Sequence, residues 1–308
     1  MTKVAYLFAG QGSQYCGMGK EFYDTSPAVR QIYECAGDIL GRDIAAVSFG
    51  EDADALSQTI NAQPAIFAMS LACYTLCKDH LPPAMAMAGH SLGEYAALCA
   101  NGVMSMEDGF RVIDARARAM QQAGERHPGA MYAIVGCDPE KVGEVCEGID
   151  GYVLPVNYNS PVQTVIAGEL DAAAKAVEVF TQMGHRAVKL GVSAAFHSRL
   201  MEEAAVSFKE AIASIPFGKG KAPFYSNVTG DCDADLTDMP SYLARHMVSP
   251  VLFTKELANI RQAGASIFVE LGPGKVLTGL VRKTLKGMPN LHIENKKTLG
   301  TAIAELSL

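Results

Sequence analysis

Ala84-Met85-Ala86-Met87-Ala88-Gly89-His90-Ser91-Leu92-Gly93 joins a short apolar run to a serine framed by glycines. The run before Gly89 suits a buried strand, and Glu94 to Asn101 are helix formers closed by Gly102. Gly89-His90-Ser91-Leu92-Gly93 therefore sits in a strand-to-helix turn of the G-x-S-x-G type, which lifts a serine hydroxyl clear of the backbone. The glycines turn the chain without a Cβ clash, and the Leu92 N–H is left to face a developing oxyanion. A purely structural Gly-Ser turn shows the same five residues, so the surroundings have to decide.

Outward from this turn, the first 120 residues alternate strand-like and helical stretches. Strands are expected at 4–8 and 84–88, and helices near 18–40, 64–79, 92–101 and 106–123, which is α/β order. Residues 130–190 change rhythm to strand 131–135, helix 139–146, strands 153–157 and 164–167, helix 170–183 and strand 186–190. That βαββαβ order is that of a ferredoxin-like unit. Gly124 to Gly129 and Gly191 to Ala195 break periodicity on either side of it and read as hinges. Beyond them α/β order resumes, with a helix over 198–213, strands near 224–227 and 267–270, the Gly272-Pro273-Gly274 turn and a helix from Val276. The chain is thus expected to be a discontinuous α/β unit, residues 1–125 and 195–308, carrying a small inserted unit at 126–194.

With 308 residues, about half of them apolar, the chain can bury a substantial core. No 18-residue uncharged apolar segment is evident and the start reads as a strand, so a cytoplasmic protein without membrane contact is expected. Eight scattered cysteines without a C-x-x-C pair read as free thiols acting as small hydrophobes, Cys73 and Cys77 sharing a helix face. The seven histidines form no H-E-x-x-H or His/Cys pattern, so no metal is expected. A net charge of −7 argues against nucleic acid as a partner. One stretch runs the other way: Lys275, Arg282, Lys283, Lys286, Lys296 and Lys297 face only Glu294. It suits an acidic partner, or simply a solvated helix with basic residues late in it.

A serine hydroxyl needs a base within hydrogen-bond reach. Among the histidines, His197 in Ala194-Ala195-Phe196-His197-Ser198 lies where a loop can return to the end of the main sheet; His90 is nearer in sequence but leaves the turn in another direction. For a third member, Asp138 is a candidate, yet Asp138-Pro139 is better read as a helix N-cap with proline at N1. A backbone carbonyl can orient the imidazole equally well. Gly10-Gln11-Gly12-Ser13-Gln14 follows the first strand and should share the sheet end with Ser91, its amides completing an oxyanion hole. It is not a dinucleotide fingerprint, because Tyr15 stands where G-x-G-x-x-G requires glycine. Arg116 and Arg118 lie two apart on a helix, so at most one faces the pocket, either in a protein salt bridge or awaiting a substrate carboxylate.

Several motifs together resemble one family, the malonyl-CoA:acyl carrier protein transacylases with the related acyltransferase domains of polyketide synthases. They are Phe8-Ala9-Gly10-Gln11-Gly12-Ser13-Gln14, Gln63-Pro64-Ala65, Gly89-His90-Ser91-Leu92-Gly93-Glu94-Tyr95, Arg116 with Met120-Gln121, Asn157-Tyr158-Asn159-Ser160-Pro161, Ala195-Phe196-His197-Ser198 and Glu270-Leu271-Gly272-Pro273-Gly274. The resemblance implies a hydrolase-like large subdomain, Ser91 as nucleophile, His197 as base, and Gln11 and Leu92 amides as oxyanion hole. It implies Arg116 as anchor for a malonyl carboxylate, Gln63, Asn159 and Phe196 in the substrate site, and the Leu252 carbonyl holding His197. Leu252 replaces the family's usual glutamine or arginine, Ala9 replaces a frequent proline, and Phe196 matches the bulky residue of malonyl-selective members. The partners implied are malonyl-CoA and acyl carrier protein, with Lys275, Arg282, Lys283 and Lys286 as a docking patch, no cofactor, and a monomeric enzyme of fatty acid synthesis. A polyketide carrier, a thioesterase handing the acyl group to water, and a non-catalytic carrier-docking module are the alternatives.

Overall fold

Val4–Phe8 is buried at all five residues and becomes β1, the strand on which the parallel sheet is built. The computed structural model describes residues 2–232 and 236–307. Ala84–Gly89 (β2) and Ile267–Leu271 (β7) flank β1 in parallel, and Asn290–Ile293 (β8) extends the sheet, giving the order β2-β1-β7-β8. One apolar cluster covers one face and a second, around Leu7, Ala86, Phe253 and Leu277, covers the other. Burial on both faces explains why these strands are continuous apolar runs without alternation.

Gly129–Val135 (β3), Val153–Ser160 (β4), Gln163–Glu169 (β5) and Arg186–Lys189 (β6) form a separate antiparallel sheet in the order β4-β5-β3-β6. With helices Pro139–Glu147 and Leu170–Gln182 between them, this is the ferredoxin-like arrangement, closed over its own core around Ile134, Val142, Ile166 and Phe180. Asp138 caps the first of these helices, its carboxylate accepting from Glu140 N–H, and takes no part in the site around Ser91. The two units are stitched at β4: Tyr158 N–H donates to Val251 O at 2.8 Å and Val251 N–H to Val156 O at 2.8 Å.

Several elements differ from the sequence expectation. The helix expected over 18–40 is two, Lys20–Thr25 and Pro27–Leu40, because Ser26 caps a new start with Pro27 at N1. The helix expected from 64 begins at Thr59 and runs to Cys77, with Pro64 inside it. Proline removes the donor that Ile60 O would have received, and Arg42 Nη2 donates to that carbonyl instead at 2.9 Å. This helix carries no charged residue over 19 positions, so the expectation of no long uncharged apolar segment is corrected. It is apolar all round because it is packed inside the core, with Ile66, Phe67 and Met69 fully buried. Near 224–227, only Phe224 bridges β2, after which the chain leaves the ladder and carries Asn227 under the Ser91 turn.

Candidate active site

Ser91 and His197 are the two non-glycine residues at positive φ among those described, at +52° and +60°. Such backbone conformations persist only where the surroundings hold them. At Ser91, packing does so. A Cβ on Gly89 would meet the Gly93 carbonyl carbon at 2.0 Å, and one on Gly93 would meet Phe8 O at 2.0 Å. The turn is thus pressed against β1 and its own helix, Gly93–Ala100, so tightly that only glycine fits on either side of the serine.

The strained loop at His197 returns from the inserted unit. Ser198 Oγ donates to Ala195 O at 2.6 Å and accepts from Leu200 N–H, which sets the loop as a helical turn begins. His197 Nε2 then lies 2.7 Å from Ser91 Oγ. Its Nδ1 faces two backbone carbonyls, Ser249 O at 3.0 Å and His246 O at 3.1 Å. Two acceptors require a proton on Nδ1, leaving Nε2 bare to accept from the serine hydroxyl. Leu252 is therefore not the orienting residue. Its carbonyl receives Glu256 N–H as the first bond of helix Phe253–Gln262, and the chain turns towards His197 three residues earlier. Burial lowers the His197 pKa to about 3, with the nearby Arg116 charge and His90 adding to the shift and the two carbonyl bonds opposing it. The imidazole is held neutral, able to take the serine proton and return it.

Arg116, in helix Met106–Arg126, is wholly buried. Its Nη2 donates to Ser91 Oγ at 3.2 Å and its guanidinium lies 4.8 Å from the Tyr95 ring centroid. Nε and Nη1 have no hydrogen-bond partner. Arg118 points out to Asp114 at 2.6 Å, so of the two arginines it is Arg116 that faces inward. A buried guanidinium with two free donors beside a nucleophile is a costly arrangement that an entering carboxylate would relieve through paired N–H···O bonds.

Gln11 and Leu92 begin the turns after β1 and at the Ser91 elbow, which the Phe8–Gly89 pairing brings to one sheet end. Among the described residues neither amide N–H donates to a protein acceptor. Gln63 does not line the cavity; its Nε2 donates to Gln11 Oε1 at 3.3 Å, so it braces the Gln11 side chain from behind. Asn159 is likewise displaced from the expected role: its Oδ1 bonds His90 Nε2 at 2.7 Å, tying the inserted sheet to the elbow. Asn157, two residues earlier on β4, lines the cavity instead, with its buried Oδ1 unpartnered. The β4 ladder is irregular between Tyr158 and Ser160, so Asn159 has no ladder partner and simple strand alternation does not say which asparagine reaches the cavity. Phe196, Met120 and Met131 form apolar wall in this cavity of about 420 Å³ above Ser91 and His197. An adjoining cavity of about 450 Å³ shares Met120, Val192 and Phe196 with it and opens towards Gln58 and Gln121.

The basic run does not gather at this mouth. Lys275 stands at the end of β7 on the Ser91 side, but Arg282 and Lys283 lie in the last turn of helix Val276–Thr284, about 10 Å along its axis, and Lys286 lies beyond. Lys286 lines a separate cleft with Arg261 and Ser266 at the opposite end of the strand. The four are spread along and beyond this nine-residue helix and do not cluster around the Ser91 cavity. Among the described residues no three of His, Cys, Asp and Glu cluster as metal ligands.

Residues 5–307 match the family model described as acyl transferase domain. The chain is 36% identical over 310 residues to the malonyl CoA-acyl carrier protein transacylase of Bacillus subtilis, covering 99% of this chain and 98% of that protein. In structure it is similar to the malonyl-CoA:acyl carrier protein transacylase of Xanthomonas oryzae, with a TM-score of 0.95, 33% identity and 100% of both chains covered. It is also similar to a malonyl-transacylase solved in complex with its type II PKS acyl-carrier protein, with a TM-score of 0.94 and 34% identity over 99% of this chain and 100% of that one. A strained serine elbow, a carbonyl-held histidine and full-length likeness agree: the chain belongs to the acyl transferase domain family, among its malonyl CoA-acyl carrier protein transacylases.

Proposed function

We propose that this enzyme moves a malonyl group from malonyl-CoA to the phosphopantetheine thiol of an acyl carrier protein in two half-reactions. His197 Nε2 takes the Ser91 hydroxyl proton as Oγ attacks the thioester carbonyl, and the tetrahedral oxyanion is received by the Gln11 and Leu92 amides. Collapse expels the CoA sulfur, which leaves as a thiol with the proton from His197. The carrier thiol then repeats the sequence in reverse, giving its proton to His197 and releasing Ser91. Arg116 holds the malonyl carboxylate throughout, fixing the acyl group for attack by a thiol. Every proton and charge in this scheme is carried by these residues, so it calls for no metal or bound cofactor.

The observation that carries this reading is the Arg116 guanidinium, buried, 3.2 Å from Ser91 Oγ and with two donors unpartnered. A hydrolase for neutral acyl groups has no use for that buried charge. Intact-protein mass spectrometry after brief exposure to malonyl-CoA tests it: a malonyl adduct is expected on the wild type, none on Ser91→Ala, and transfer to added phosphopantetheinylated carrier. An adduct lost to water as fast with carrier as without would make the protein a thioesterase. The carrier assigned is that of fatty acid synthesis; the type II PKS carrier bound by the structural neighbour supports a second assignment. Transfer rates to the two carriers, measured side by side, separate them.

A further inference from the structure

Ser91 is held at φ +52° and His197 at φ +60°, on segments more than a hundred residues apart, yet their reacting atoms meet at 2.7 Å. One side chain outside the reacting pair touches the supports of both. Asn227 Oδ1 accepts from Ser91 N–H at 2.7 Å, and its Nδ2 donates to Gly89 O at 2.7 Å, so the carboxamide clamps the elbow on both sides of His90. The same residue reaches the histidine side. Its backbone O accepts from Leu252 N–H at 2.9 Å, and its Oδ1 lies 3.3 Å from His246 Nε2. Residues 246 to 252 are the stretch whose carbonyls, His246 O and Ser249 O, hold His197 Nδ1.

Asn227 is in turn held by its neighbours. Its second Nδ2 hydrogen goes to Glu256 Oε2 at 2.7 Å and its backbone N–H to Glu94 Oε1. Asn227, Glu94, Glu256 and His246 are all wholly buried. Every hydrogen-bonding group of Asn227 is occupied, so the carboxamide has one orientation and no freedom to turn. We infer that Asn227 is a positioning residue that fixes the Ser91 turn and the His197-holding segment relative to each other. It touches neither reacting atom: it acts through the backbone of Gly89 and Ser91 at one end, and through Leu252 N–H and the His246 ring at the other. The inference rests on the Ser91 and His197 roles proposed above.

Asn227→Leu keeps the volume and removes every side-chain hydrogen bond. Rapid-quench mass spectrometry of malonyl-CoA acylation gives both a rate constant and an end point. The rate constant is expected to fall about 100-fold, as displacement of reacting groups by about 1 Å does. The malonyl-CoA concentration giving half-maximal rate and the end point of one adduct per chain should not change. A rate constant within threefold of wild type overturns the inference. So does a reduced end point with an unchanged rate constant, which is what a merely structural role produces. Failure of the wild type to acquire any Ser91-dependent adduct would instead overturn the reaction itself.

Should Asn227→Leu not fold, Asn227→Asp carries the test. Its carboxyl retains an acceptor for Ser91 N–H and, when protonated, a donor for Gly89 O. It would face Glu94, Glu256, His246 and Tyr242, whose helices all pack here. Loss of that proton on raising the pH removes the donor, so a falling limb that the wild type lacks is expected in the acylation rate. A profile parallel to the wild type overturns the inference.

Discussion

At the scale of single residues, Arg116 is where the pattern and the geometry answer different questions. Two arginines spaced two apart on a helix mean that one can face inward, and the structure assigns that place to Arg116 with Nε and Nη1 left free. Arg116→Ala removes the carboxylate's partner but not the nucleophile. The preference for malonyl-CoA over acetyl-CoA in Ser91 acylation is expected to drop about 100-fold or more, from the loss of two charge-assisted bonds of about 1.5–3 kcal/mol each. Arg116→Lys should recover only part of it, since an ammonium lacks the planar fork. Rates of adduct formation from the two thioesters check this, and unchanged selectivity in Arg116→Ala would remove the carboxylate role. Ser91 and His197 were legible because their side chains carry the signal. The orienting group was not: Ser249 and His246 act through carbonyls, which every residue possesses, so no side-chain pattern distinguishes them from Leu252.

Elements depend on contacts that the backbone itself makes. Gly93→Ala would drive a Cβ to 2.0 Å from Phe8 O, an atom of the central strand that cannot retreat. Thermal unfolding should show a large loss of stability, of at least about 3 kcal/mol, the upper range of ordinary overpacking. Gly143→Ala, in helix Pro139–Glu147 with nothing near its missing Cβ, should instead gain about 0.5–1 kcal/mol. A similar response at both positions would mean that the elbow is not sterically closed. The strands β1, β2 and β7 and the βαββαβ order were readable because burial on both faces, or on one, imprints itself on the sequence. Helices Ile44–Phe49, Ala53–Ser57, Met239–Val248 and Phe253–Gln262 were not foreseen. Three of the four are started by an aspartate side chain that accepts a backbone N–H, and two of those three are no longer than six residues, too short for periodicity to register. The start at Thr59 was hidden for another reason: Pro64 reads as a boundary, and only the distant Arg42 makes it an interior residue.

Across the whole molecule, ionisable groups buried beneath the elbow tie stability to pH. Burial raises the Glu94 pKa from its ordinary 4.5 to about 8, against the opposing bonds from Asn227 and Tyr242. Tyr242 has one hydroxyl proton for both Ser226 Oγ at 2.6 Å and Glu94 Oε2 at 2.9 Å, and a protonated Glu94 settles the competition by donating its own. The folded chain thus keeps a proton that the unfolded chain releases above pH 4.5, so stability falls as pH rises from there to about 8, by up to about 1.4 kcal/mol per pH unit. Glu256 and Glu270, also raised by burial, act in the same direction. His90, His197 and His246 act in the opposite one: burial lowers them below 6.5, so the unfolded chain gains protons on acidification that the fold refuses. The two sets oppose each other between about 4.5 and 6.5, where stability should be greatest. Glu94→Gln removes one proton from the alkaline side while its amide can still donate to Tyr242. Denaturant unfolding at pH 6.5, 7 and 8 should show the wild type losing stability along this series and the variant losing less, by close to one proton's worth per pH unit. Equal slopes would mean that Glu94 enters the fold as a carboxylate, with the buried Arg116 guanidinium as the charge that holds it so.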